Sequence, residues 1–268
     1  MRSGFALPLL LAPLVAAAGD FTFTVSGETF TYTDAQRTFT GLIIVPPGAG
    51  PFPAIVFDHG QGGAPSSYPN VEVMRSWGAV VVAPTLTHVL GGETLPATTG
   101  QCPENLARGI AIVDAIAEEP YVDQARIAFF GHSKGAYAAI AHVSALGTRV
   151  RVAAMSAGGV LPDNAGTAQA APTYAEAIGV VAPFIMFHGN VDGSVPPGRS
   201  LDFQVQLDAR AIPNSRIVYD VSAYPPNEQH NIHQIPAINA DMLAQTLAWY
   251  TQWGLFGAQA TLFADGFE

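Results

Sequence analysis

Ser133 stands in Gly131-His-Ser-Lys-Gly135, between the apolar run Ile127-Ala-Phe-Phe130 and the segment Ala136-Tyr-Ala-Ala-Ile140. The first run reads as a buried strand and the second as a helix. The serine therefore sits at the tip of a tight strand-to-helix turn, where the residues two before and two after it must lack bulk because the backbones crowd. A serine presented this way is suited to acyl transfer. Its hydroxyl is too weak an acid to attack an ester unaided, so it needs a histidine to take its proton and a carboxylate to hold that histidine in one tautomer.

For a strand-borne serine of this kind the recurring chain order is serine, acid, histidine. Asp192, in Phe187-His-Gly-Asn-Val-Asp-Gly-Ser-Val-Pro196, follows a buried strand and is the candidate acid. An ordinary Asp-Gly turn would look the same in isolation, and its place after that strand separates the two readings. Asp220 is the weaker rival because it reads as lying inside a strand. Two histidines, His230 and His233, fall between the last strand and the last helix. His230 is favoured because it sits close behind Tyr224-Pro225, at a separation suited to a short return loop, whereas His233 reads as entering the helix. Only geometry decides between them.

A developing oxyanion needs two fixed donors. One is expected from the backbone N–H of Lys134. The other is expected from the turn His59-Gly-Gln-Gly-Gly63, with the Gln61 N–H as the best placed. The Lys134 side chain is expected to point into solvent or across the helix start, with no chemical role. His59, His132 and His188 read as parts of turn motifs, His88 as a loop residue and His142 as helical. None has metal-ligand spacing, so no metal site is expected.

The elements that must position these residues follow from periodicity. Phe21–Val25 and Thr38–Val45 read as strands opening a sheet, split by turn residues. Ala54–Phe57, Ala79–Ala83, the run before Ser133, Val150–Met155, Val180–Phe187 and Arg216–Val221 read as short strands, most of them apolar and buried. Helical patterns at Val71–Trp77, from Pro103 to Glu119, after Ser133, and from about Pro236 to Trp253 alternate with them. The alternation predicts an α/β fold with a doubly wound, mostly parallel sheet and no large lid. Residues 158–179 are the single lid candidate and are short, so the cleft should be open. The three tryptophans and Tyr250 read as core.

The composition bounds the class. Residues 1–18 combine Arg2, the apolar run Phe5–Val15 and Ala16-Ala-Ala18, which predicts a secretory signal peptide cut near Ala18. The remaining chain reads as one domain from residue 19, with a short tail from about residue 255, and no later stretch is apolar enough to span a membrane. Removing the leader leaves 10 basic and 21 acidic residues, a net charge of −11, which argues against a nucleic-acid partner. Cys102 is the single cysteine, so no internal disulfide is possible, and it reads as a buried apolar residue.

Pro53-Ala-Ile-Val-Phe-Asp-His-Gly-Gln-Gly-Gly63, Val122 through Gly135, and His188-Gly-Asn-Val-Asp-Gly-Ser-Val-Pro196 resemble the α/β-hydrolase superfamily, most of all its dienelactone-hydrolase-like and related secreted esterase branches. The resemblance spans nearly the whole chain after the leader. It implies a Ser-Asp-His triad, no cofactor, and hydrolysis of esters or lactones through a covalent acyl-enzyme. Dienelactone hydrolases proper carry a cysteine where this chain has Ser133, which argues against that specific activity. Secreted polyester hydrolases, whose elbow and Trp77–Val82 segment look similar, carry a C-terminal disulfide that one cysteine cannot form. The expected activity is that of a secreted serine esterase acting on a small-molecule or polymer ester through Ser133, Asp192 and His230. Its rivals are a prolyl-oligopeptidase-like peptidase and a catalytically silent binding protein.

Overall fold

The computed structural model describes residues 21–165 and 170–257; the leader and the terminal Phe263–Glu268 lie outside the described residues. Among the described residues one sheet holds nine strands: β1 (Thr22–Ser26), β2 (Thr29–Thr33), β3 (Thr38–Ile44), β4 (Phe52–Asp58), β5 (Val80–Pro84), β6 (Val122–His132), β7 (Val152–Ser156), β8 (Phe184–Gly189) and β9 (Asn214–Tyr219). Their spatial order is β1-β2-β3-β5-β4-β6-β7-β8-β9. The first three and the β3–β5 pair are antiparallel, and every pair from β5 to β9 is parallel.

Among the described residues there are six α-helices: α1 (Pro69–Ser76), α2 (Pro103–Ala117), α3 (Lys134–Leu146), α4 (Gly198–Asp208), α5 (Pro226–His230) and α6 (Pro236–Gln252). Strand residues alternate between two cores because successive side chains leave opposite faces. Ile127 and Phe129 of β6 pack with α2, α3 and α4 on one face, while Ala128 and Phe130 pack with α1 and α6 on the other. With both faces covered, β5, β7 and β8 are buried at every position, which is why they read as unbroken apolar runs. Tyr250 of α6 is fully buried and its hydroxyl donates to the Phe129 carbonyl at 2.7 Å, while Trp77, Trp249 and Trp253 pack partly buried around it.

Three local readings differ from the sequence expectation. The segment Thr29-Phe-Thr-Tyr-Thr33 is a further strand, with Phe30 and Tyr32 turned inward and the threonines outward. Its alternating pattern was legible, but the turn residues on either side masked it. Helix α4 buries only Ser200, Phe203 and Leu207, too sparse a stripe to stand out by period. Leu255 and Phe256, where the tail was expected to start, are buried in the second core, so this part of the chain belongs to the fold. Cys102 is buried and free, as the residue preceding α2.

The sheet order reverses between β4 and β6, since β4 connects to β5 on one side and β5 returns to β6 on the other. Crevices at the carboxyl ends of such strands are where ligands bind in open α/β sheets. Ser133, Asp192 and His230, the loop after β4 and the segment after β9 all meet at this edge.

Candidate active site

Ser133 follows the last residue of β6 directly and precedes α3, with φ 54° and ψ −122°. A non-glycine residue there is strained, and the surrounding backbone must hold it. A Cβ at position 131 would run into the Gly135 carbonyl, and one at 135 into the Asp58 carbonyl at the end of β4. The crowding inferred from the motif is thus between named backbone atoms. The Ser133 N–H donates to the Ser156 carbonyl at the end of β7 (3.0 Å), which fixes the turn against the neighbouring strand.

His230 is the last residue of α5, a short helix in what the sequence presented as a plain return loop. Its Nε2 lies 2.8 Å from Ser133 Oγ and its Nδ1 lies 2.7 Å from Asp192 Oδ2. Asp192 is 4% exposed, and its other oxygen accepts the backbone N–H groups of Ser194 (2.8 Å) and Val195 (2.9 Å). His188 Nε2 approaches the Val195 carbonyl (2.8 Å) and Asp192 Oδ2 (3.4 Å). Burial opposes ionisation of Asp192, but the hydrogen bonds from His188 and His230, the field of His230 and the Val195 N–H outweigh it and hold the carboxyl well below the usual carboxylate range.

Asp192→Asn removes the orienting charge. The expected result is a kcat lower by about 10^4, measured on an activated ester. The depressed pKa also sets a sign for stability. The ionised Asp192 stabilises the fold above the ordinary carboxylate pKa of about 4, and this is lost as pH falls toward its depressed native value. Urea unfolding of the parent and of Asp192→Asn should therefore give curves whose separation is constant above about pH 5 and shrinks below about pH 4.

The loop after β4 is fixed by side chains that are themselves fixed. The Leu86 N–H donates to His59 Nε2 (3.0 Å), so that ring carries its proton on Nδ1 and donates to the Gly60 carbonyl (2.9 Å). His88 Nδ1 accepts the Gly100 N–H (3.2 Å), and its Nε2–H donates to the His59 carbonyl (2.8 Å). Burial lowers both imidazoles from the usual histidine range, His88 to about 3. The Gly60 N–H donates to Tyr68 Oη (2.8 Å), the Gly62 N–H to the His88 carbonyl (2.8 Å) and the Gly63 N–H to the Gly60 carbonyl (3.1 Å). Among the described residues the Gln61 N–H has no protein acceptor, and neither has the Lys134 N–H at the start of α3. The sequence singles out these same two N–H groups as candidate oxyanion donors.

Beneath this loop, Asp58 and His142 are both fully buried and 2.8 Å apart, and His142 Nε2 donates to the Asn105 carbonyl (2.8 Å). Burial disfavours the charged imidazole, but the Asp58 carboxylate and the Asn105 carbonyl outweigh it and raise the His142 pKa. The pair ties the end of β4 to α3 and α2. His142→Ala strands a buried carboxylate, and urea unfolding at pH 7 should register a loss of about 3–5 kcal/mol.

A cleft of about 460 Å³ opens over these groups, lined by Gly60, Gln61, Tyr68, Pro96, His132, Ser133, Lys134, Tyr137, Ser194, Val195, His230 and Asn231. Among the described residues the lid candidate does not reach it; Leu161 and Ala171 instead pack on Tyr137 and Val195. The 85–101 segment contributes Pro96 and holds the Lys134 ammonium, which donates to Thr99 Oγ1 (2.9 Å) across the cleft edge. His233 is near but not joined to the serine or the acid: its Nδ1 is buried without a partner, and burial with the field of His230 lowers its pKa to about 4. Asp220 lies just beyond β9, not within it, and is held by Asn190 and Ser222 away from His230. His132 ends β6 and His188 lies within β8, so both are strand residues, not turn residues. Sequence reasoning missed Tyr68, Asn231 and the His59–His88–Asn105 network, since loops brought together only in three dimensions leave no local pattern.

The family model for chlorophyllase matches residues 15–172, more than half of the chain, a span that includes Gln61 and Ser133 but ends before Asp192 and His230. No curated protein matches the sequence. Among solved structures, the butyrate-bound esterase Est2 of the Planctomycetes species Thermogutta terrifontis superposes with a TM-score of 0.66 at 16% identity, covering 90% of this chain and 97% of its own. A protein assigned as a dienelactone hydrolase from Klebsiella pneumoniae subsp. pneumoniae gives 0.62 at 17% identity, covering 81% and 95%. An acylaminoacyl peptidase from Pyrococcus horikoshii also gives 0.62 at 17% identity, with 80% of this chain matched to 40% of that one. The chain thus spans well under half the length of that peptidase, and at these identities the likeness is one of fold.

Proposed function

Since the chain belongs to the chlorophyllase family of α/β-hydrolases, we propose that it is a serine esterase that cleaves carboxylic esters through a covalent acyl-enzyme. The observation that carries this reading is the hydrogen-bonded line from Ser133 Oγ through His230 to Asp192, at 2.8 and 2.7 Å. In the first half-reaction Ser133 Oγ bonds to the ester carbonyl carbon while its proton passes to His230 Nε2. The carbonyl electron pair moves onto oxygen, where the Gln61 and Lys134 N–H groups receive it. Collapse breaks the carbon–oxygen bond to the alcohol, which leaves with the proton held on His230. Water then repeats the sequence on the acyl-enzyme, releasing the acid and restoring the serine. Asp192 stays ionised throughout and stabilises the imidazolium.

A second reading, a peptidase, is favoured by the likeness to the acylaminoacyl peptidase. Hydrolysis of p-nitrophenyl esters beside the matching anilides separates the two, and turnover confined to the anilides would overturn the esterase reading. Labelling by a serine-reactive fluorophosphonate excludes a silent binding protein. Export with cleavage near Ala18 is part of the proposal, motivated by the basic, apolar and small-residue order of residues 1–18. Intact-mass analysis of protein recovered outside the producing cells should give a chain starting near Gly19, and a retained Met1 would overturn this.

A further inference from the structure

Tyr68 lies between a single turn of 3₁₀ helix (Pro65–Ser67) and α1, and nothing in the local sequence marks it for chemistry. Its ring is held among Phe57, His233 and His132, with centroid separations of 5.1, 5.1 and 6.0 Å. This packing sets its hydroxyl over the loop that carries Gln61. A Cβ added at Gly60 or at Gly63 would come within 2.8 Å of Tyr68 Oη, which explains why both positions are glycine.

The hydroxyl has one lone pair engaged, by the Gly60 N–H at 2.8 Å, and among the described residues its own proton has no protein acceptor. Tyr68 is 8% exposed and lines the cleft beside Gly60, Gln61, His132 and Ser133. A buried phenol keeps its proton because removal from water disfavours the phenolate. Burial does so here, raising the group to about 12 against the opposing pull of the Gly60 N–H. Accepting a hydrogen bond also polarises the O–H and makes it a better donor.

We propose that the Tyr68 hydroxyl is a third oxyanion donor, acting beside the Gln61 and Lys134 N–H groups. This rests on the esterase reading above, and makes Tyr68 a catalytic residue because its proton meets the reacting oxygen. The same phenol has two jobs, an acceptor that pins Gly60 and a donor to the transition state, and the two can be separated.

The test uses p-nitrophenyl butyrate at pH 7 with the parent, Tyr68→Phe and protein carrying 3-fluorotyrosine at position 68. The ring fluorine makes the phenol more acidic, hence a stronger donor and a weaker acceptor. Tyr68→Phe is expected to lower kcat about 10- to 100-fold with KM within about threefold, since an oxyanion contact strengthens in the transition state. The fluorinated protein is expected to turn over faster than the parent. A Tyr68→Phe kcat within about threefold of the parent overturns the proposal. So does a fluorotyrosine kcat that is unchanged or lower, which marks Tyr68 as a clamp on Gly60 alone, and this second arm decides even if Tyr68→Phe does not fold. Fluorophosphonate labelling of Ser133 in the parent is read first. Its absence is the failure of the esterase reading, distinct from either outcome at Tyr68.

Discussion

Ser133→Ala will lower kcat on an activated ester by about 10^6, leaving a folded protein that still binds substrate. The size follows from what is removed. The hydroxyl is the atom that forms the covalent bond, and no other cleft-lining side chain has the same partners: Ser194 also lines the cleft, but its side chain is not joined to His230. Residual catalysis from the oxyanion donors and binding should remain about 10^3- to 10^4-fold above the uncatalysed rate. Retained folding is expected because Ser133 Oγ bonds only His230 among the described residues, while the strained turn is held by backbone bonds from Ser133 N–H and by the close passage of Gly131 and Gly135. Replacing a residue at φ 54° with alanine keeps a Cβ where one already exists, so no new strain arises. Circular dichroism together with single-turnover kinetics checks both halves. A folded variant with near-parent turnover would remove Ser133 from the mechanism and with it the esterase reading.

How much of this was legible beforehand divides along a physical line. The elbow could be read because its constraint is local: strand, glycine, serine, glycine and helix are consecutive, and the crowding that demands both glycines arises within the turn and against the next strand end. The parallel core could be read because strands buried on both faces are unbroken apolar runs. Asp192 could be placed because it follows β8 by three residues, and the acid loop opens where that strand ends. Tyr68 could not, since its ring partners His132 and His233 are distant in sequence and its role depends on a ring orientation set by Phe57. The same holds for Lys134, whose ammonium meets Thr99 across 35 positions, and for the His59–His88 pair, whose tautomers are dictated by Leu86 and Gly100. Of the two expected donors, the Lys134 N–H was inferred from its place after the serine and the Gln61 N–H from the glycine-rich turn that carries it. The availability of the Gln61 N–H is a matter of elimination, because the neighbouring N–H groups of residues 60, 62 and 63 are all engaged.

His230→Ala should cost about 10^6 in kcat, close to the loss from Ser133→Ala, whereas His233→Ala should cost far less. Spacing favoured His230, behind Tyr224-Pro225, over His233, read as entering the helix, but the two are three residues apart and only geometry could decide between them. Two short turns separate them in space. His230 closes α5 with its ring between Ser133 and Asp192, and His233 lies in the following 3₁₀ turn, packed against Tyr68 and His132 at 5.1 and 4.4 Å between ring centroids. A base must reach the serine proton with one nitrogen while the other is held by the acid, and His230 meets both conditions. His233 has a buried Nδ1 with no partner and, with its pKa lowered to about 4, stays neutral through the cycle. Its neutrality has a use: a second charge there would oppose formation of the His230 imidazolium, and burial prevents it. His233→Ala should therefore act through packing against Tyr68, lowering kcat by about tenfold or less through a loosened oxyanion loop. If His233→Ala is inactive and His230→Ala retains turnover, the base assignment fails while the fold and the nucleophile stand. If each variant alone loses about 10^6, His233 is required for positioning His230, and a double variant no worse than either single would show it.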